Sequence, residues 1–176
     1  MIMTAPHNGA IFSPDRKYRF KLWRIVRDNL PISITFTVLF IGLNPSTANE
    51  SEDDPTIRRC MGFAKEWGFA KMYMGNLFSY VTAYPKELTV ENCTEYDKEN
   101  RESLKQMARE SLRVVYCWGN NGWIRNQGKI IAEYVDMQSN LSPVCFGLNQ
   151  NGTPKHPLYL PKNAEVIKWY DPDQNL

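Results

Sequence analysis

Four stretches of the chain read as strands: ITFTVLFIGL (34–43), KMYMGNLFSY (71–80), RVVYCWG (113–119) and LSPVCFGL (141–148). The first is rich in β-branched and aromatic residues and continuous rather than alternating, which predicts a strand buried on both faces. Between them lie stretches with helical spacing. In SEDDPTIRRCMGFAKEWGFA (51–70) Asp54 suits an N-cap and Pro55 the first helical position, while Ile57, Met61 and Ala64 form an inward stripe that Gly68 closes. TEYDKENRESLKQMARES (94–111) carries Leu104, Met107 and Ala108 on one face, and NNGWIRNQGKIIAEYVDM (120–137) reads as a further helix with an ill-marked start. KYRFKLWRIV (17–26) mixes aromatic and basic residues and fits either a strand pair or an opening helix.

Strands alternating with helical crossovers imply an α/β fold: a three-layer α/β/α sandwich around a mainly parallel central sheet of four strands, one domain over residues 1–176. Such sheets bind ligands outside the carboxyl ends of their strands. GLNPS, GNLF, WGNNG and the segment after CFGL are therefore expected to meet in one cleft.

The composition, 43% hydrophobic and 23% charged, is that of an ordinary globular chain. No stretch approaches the roughly 18 apolar residues of a membrane span, and the start has no basic-then-apolar secretory pattern. A cytoplasmic monomer without membrane contact is the expectation. Cys60, Cys93, Cys117 and Cys145 are widely spaced and form no CxxC pair, which points to buried free thiols rather than metal ligation; no metal and no cofactor are expected. The net charge of +2 leaves a nucleic-acid partner open. Phosphate-loop, dinucleotide, zinc-protease, zinc-deaminase and nucleophile-elbow motifs are all missing.

The residues with chemical promise sit at the strand ends. Gly42-Leu43-Asn44-Pro45-Ser46-Thr47 is either an ordinary strand-ending turn or a platform presenting the Asn44 amide, with Pro45, Ser46 and Thr47 against a substrate. Asn76 closes a hydrophobic strand, where an amide is costly unless hydrogen-bonded; it either braces a loop or pairs with a base edge. Phe78 is core by default, or a stacking surface. His156, followed by Pro157, falls near the same cleft mouth. Asp54 is explained as a cap, which leaves Asp53 free to activate water. Arg58, in a first helical turn where the dipole disfavours cations, faces phosphate or solvent.

Taken together, FIGLNPSTA, DDPTIRRC, the WG after the first helix, GNLFSY, VVYCWG and GTPKHPLYLP resemble the bacterial and phage family DUF1643, a domain of unknown function, over about residues 10 to 161. More remotely the pattern resembles the uracil-DNA glycosylase superfamily. That superfamily has a strand-ending G-x-[DN]-P motif that positions water, an asparagine closing a later strand that reads the flipped base, and a late H-P-S motif that steadies the leaving base. Gly42-Leu43-Asn44-Pro45, Asn76 and His156-Pro157 stand in that order. Leu158 replaces the serine, and Asn44 stands where the fastest uracil enzymes carry aspartate, so uracil excision should be weak.

The resemblance implies a uracil-DNA glycosylase-like fold and a DNA glycosylase that cleaves the N-glycosidic bond of a flipped pyrimidine to leave an abasic site. Asn44, His156 and Asp53 would be catalytic, with Asn76, Phe78, Pro45, Ser46, Thr47, Arg58 and Pro157 binding substrate. The family's distribution suits modified pyrimidines in phage DNA, hence antiviral defence. A hydrolase acting on free nucleosides or nucleotides, and a non-catalytic nucleic-acid-binding module, remain the alternatives.

Overall fold

The computed structural model describes residues 8–27, 36–121, 126–137 and 141–169. In chain order these form β1 (Asn8–Phe12), β2 (Arg19–Ile25), β3 (Thr37–Gly42), α1 (Pro55–Glu66), β4 (Lys71–Asn76), α2 (Val90–Thr94), α3 (Asp97–Arg109), β5 (Arg113–Tyr116), α4 (Gln127–Asp136), β6 (Val144–Cys145) and β7 (Ile167–Lys168). Short 3₁₀ turns lie at Pro85–Glu87 and Pro157–Tyr159. No helix among the described residues is long and apolar enough to cross a membrane.

The α/β class holds, but the sheet is larger than four strands and mixed in sense. Its order is β1-β2-β4-β3-β5-β6-β7. The pairs β4–β3, β3–β5 and β5–β6 are parallel, while β1–β2, β2–β4 and β6–β7 are antiparallel. The extra strands escaped the hydrophobic pattern for physical reasons. In β2 the charged Arg19, Lys21 and Arg24 are all buried, so the strand has no apolar-in, polar-out alternation to read. β7 is two exposed residues long.

Helices cover both faces. Ile57, Cys60, Phe63 and Ala64 of α1 pack with Val38, Phe40, Met72 and Val115 on one side. Leu104, Met107 and Ala108 of α3 and Ile131, Ala132 and Val135 of α4 pack with Leu39, Ile41, Tyr73 and Val114 on the other. The α1 stripe runs through Cys60 and Phe63 rather than Met61, which is only partly buried. α1 begins where expected: Asp54 Oδ1 accepts the Ile57 N–H at 2.8 Å, and Pro55 has no N–H to leave unpaired. It ends at Gly68, whose φ of 83° suits glycine. The predicted helix over 94–111 breaks at Tyr96, which has φ 58° and separates α2 from α3. All four cysteines are buried thiols. Trp123, with residues 122–125 of the predicted last helix and residues 34–35 of the first predicted strand, lies outside the described residues.

Arg24 fastens the long loop between β3 and α1. Its side chain is 0% exposed. Nε donates to Asp53 Oδ1 at 2.7 Å, Nη1 to the carbonyls of Trp23 (2.9 Å) and Gly9 (3.3 Å), and Nη2 to those of Asn49 (2.7 Å) and Glu52 (3.2 Å). Every guanidinium N–H thus has an acceptor, which is what a buried arginine requires. Arg24→Leu strands Asp53 and four carbonyls, and is expected to lower the unfolding free energy by about 3–5 kcal/mol in urea titration. Arg24→Lys should recover only part of it, since an ammonium lacks the planar fork. A loss below about 1 kcal/mol for Arg24→Leu would show that the loop is held by something else.

Candidate active site

The first crossover, β3 to β4, goes to one side of β3 and the next, β4 to β5, to the other, so the winding reverses beside the carboxyl end of β3. A cleft of about 680 Å³ opens there. Gly42, Leu43 and Asn44 from the end of β3, Asn76 from β4, and Trp118, Gly119 and Asn120 beyond β5 form its floor and sides. Asp54 and Thr56 at the start of α1 and the segment 155–160 close it.

Asn44 is held by its amide nitrogen. Nδ2 donates to the Thr82 carbonyl at 2.8 Å and the Pro45 carbonyl at 2.9 Å, while the Thr82 N–H donates to the Pro45 carbonyl at 2.9 Å. With both donor hydrogens committed, this cleft-lining residue keeps Oδ1 as an acceptor for which the described residues supply no donor. Asn76 is held the opposite way. It is 4% exposed, and Oδ1 accepts from Arg19 Nη2 at 3.2 Å. That bond fixes the amide orientation and leaves Nδ2 as the donor facing Gly42 and the cleft. Asn100 Nδ2 donates to the carbonyls of Asn76 (3.0 Å) and Leu77 (3.3 Å), which pins the strand end itself.

Arg19 is 2% exposed; Nη1 donates to the Ala48 carbonyl at 2.9 Å and Nε has no partner. Burial pushes its pKa down to about 10 against the opposing charge of Asp54, so it stays cationic at neutral pH. Asp54 spends Oδ1 on capping α1, and the second carboxylate oxygen has no partner among the described residues.

His156 caps the 3₁₀ turn that follows it. Nδ1 accepts the Leu158 N–H at 3.3 Å, so the proton of the neutral ring resides on Nε2 and makes that atom a donor. Burial pushes the imidazole below its usual pKa, with the Asp54 charge partly opposing. Gly119, at φ 77°, lets the two loops approach: a Cβ there would lie 3.3 Å from His156 Cβ.

Of the residues singled out from sequence, Asn44, Ser46, Asn76 and His156 line the cleft; Pro45, Thr47, Asp53, Arg58, Phe78 and Pro157 do not. Pro45 is buried, its carbonyl serving Asn44 and Thr82, and Thr47 is exposed. Phe78 is 2% exposed within the α3-side core, so it presents no stacking surface. Arg58 lies on the outer side of α1 and donates to the Asp53 carbonyl. Pro157 is buried, and its carbonyl accepts from Arg59 Nε at 3.4 Å.

Asp54 caps α1 as expected, but it and not Asp53 is the carboxylate of the cleft. Asp53 is occupied by Arg24. Nothing in KYRFKLWRIV marks which cation turns inward, so Arg19 is not legible there; Trp118 and Tyr159, which no motif singles out, also line the cleft. Among the described residues no group of three or more His, Cys, Asp or Glu could hold a metal ion.

The family model described as "Protein of unknown function (DUF1643)" matches residues 19–158. The chain belongs to the DUF1643 family. The matched span opens on Arg19 and closes just past His156, so it contains Arg19, Asn44, Asp54, Asn76 and His156. Comparisons with curated proteins and with solved structures return no match.

With the folded-state pKa of His156 below its ordinary 6.5, the unfolded chain takes up a proton more readily than the fold. Stability should be unaffected by this group above pH 6.5 and decline as pH falls below it. His156→Gln should flatten the drop in Tm in that window; an unchanged profile would mean the fold does not hold the ring neutral.

Proposed function

We propose that the protein is a DNA glycosylase acting on a flipped pyrimidine. The observation that carries this reading is the convergence of Asn44 and Asn76, from the ends of β3 and β4, and of His156, from the loop after β6, on one cleft. Their order along the chain, and the parallel β4-β3-β5-β6 core that presents them, are what the resemblance to the uracil-DNA glycosylase superfamily rests on.

In this reading the base enters the cleft after leaving its stack, a step that costs a few kcal/mol. Asn76 Nδ2 donates to an acceptor on the pairing edge. As the C1′–N bond breaks, its electron pair moves onto the base and negative charge grows on a base oxygen. His156 Nε2–H donates there, the logic of an oxyanion hole, and the Arg19 cation behind Asn76 favours the same charge. The sugar is left as an oxocarbenium ion, which a water held by Asn44 Oδ1 attacks. An amide cannot take the water's proton. Asp54, with one free oxygen in the cleft, fills that role in place of Asp53, which Arg24 occupies. Stacking falls to Tyr159, 84% exposed at the cleft mouth, rather than to Phe78.

The test is mass spectrometry of bases released from uracil-containing, mismatched and modified-pyrimidine phage DNA, with free nucleosides alongside. One defined base is expected from DNA, with release falling about 100-fold in Asn44→Ala and in His156→Ala while Tm stays within a few degrees. Release from the mononucleoside alone would favour a nucleoside hydrolase. No release from any substrate by the folded protein would favour a binding module.

A further inference from the structure

A second groove lies on the outer side of α1. Arg27, Arg58, Arg59, Lys65 and Lys162 line it, with Glu66 as its single acid. The whole chain has 21 basic and 19 acidic residues, so this ratio is a local segregation of charge rather than a reflection of composition. Arg58 and Arg59 sit in the first turns of a helix that has no acidic residue in its first turn, where the helix dipole makes cations unfavourable. Gly62, in mid-helix, lies between them and Lys65, and a Cβ there would meet nothing within 4 Å. A mid-helix glycine is a weak helix former, and here no packing requires it. It leaves helix backbone bare on the groove floor, flanked by cations.

The groove and the cleft share two walls, α1 and the segment 158–162. Ile57 of α1 lines the cleft and Gly62 the groove, about 7.5 Å apart along the helix axis. Leu160 lines the cleft and Lys162 the groove. Arg59 ties the two walls, donating from Nε to the Pro157 carbonyl and from Nη2 to that of Leu160, with its guanidinium 4.8 Å above the Phe63 ring.

We infer that this groove carries the phosphodiester backbone of the DNA strand flanking the nucleotide in the cleft, with Arg58, Lys65 and Lys162 against phosphates and Gly62 allowing the strand to lie close. The inference rests on the glycosylase reading for the identity of the strand. α1 and the segment 158–162 run from the cleft to the groove, so the groove takes phosphates near the flipped residue. Arg58, Lys65 and Lys162 are exposed, and Arg59 acts as the strut that fixes the wall.

The experiment is fluorescence anisotropy of a labelled, unmodified single-stranded DNA over a salt series, with single-turnover base release measured separately. Lys65→Glu with Lys162→Glu should weaken binding at least tenfold and lower the slope of log K against log salt by about 1.4, that is 0.7 per lost phosphate contact. Gly62→Leu should weaken binding without altering any charge, at unchanged or raised Tm. Equal affinity in these folded variants, or no DNA binding by the wild type, overturns the inference, as does preference for RNA of the same sequence. Salt-dependent binding lost in the variants, with no base released from any DNA, would leave the groove standing and remove the glycosylase reading.

Discussion

Two buried guanidinium groups on one strand set the terms for the rest of the site. A buried cation must be surrounded by oxygens, because an unpaired one costs several kcal/mol. Arg24 and Arg19 of β2 find those oxygens in the loop between β3 and α1: the carbonyls of Ala48, Asn49 and Glu52 and the carboxylate of Asp53. A dozen residues without regular structure would ordinarily sample many shapes. Here the arginines select one, and in it Asn44 and Asp54 face the same cleft from opposite ends of the loop. The antiparallel edge of the sheet is therefore the scaffold of the site, although the parallel strands carry most of its residues.

Within the cleft, polar groups are oriented by what they have already given away. Asn44 has spent its donors and keeps an acceptor, Asn76 offers its donor, and His156 offers a single donor. Each side chain could face either way in isolation. Committing one end to backbone or to Arg19 removes that freedom before any ligand arrives, so the reorganisation that binding would otherwise demand is largely complete.

The parts of this architecture that could be read from sequence were those decided by local rules. Apolar runs marked β3, β4 and β5, and Asp54-Pro55 marked the start of α1. The meeting of strand ends in one cleft followed from the chirality and winding of α/β folds. What could not be read depended on partners distant in the chain. The burial of Arg19 and Arg24 is intelligible only once the loop carbonyls are in place, and that same pairing decides which of Asp53 and Asp54 is free. Phe78 shows the converse: its place after Asn76 suggested a stacking surface, but its side chain points into the core on the α3 side. Residues two apart share a face only while the strand lasts, and β4 ends at Asn76, so its alternation does not carry over to Phe78.

Gly42 and Asn76 sit opposite one another in the parallel β3–β4 ladder, and a Cβ on Gly42 would come within 3.1 Å of Asn76 Nδ2. The two positions are thus under one steric constraint although 34 residues apart. Over evolutionary time they should drift as a linked pair: a side chain at 42 requires the Asn76 amide, which Arg19 holds, to give way by a few tenths of an ångström, so a change at one position favours a change at the other.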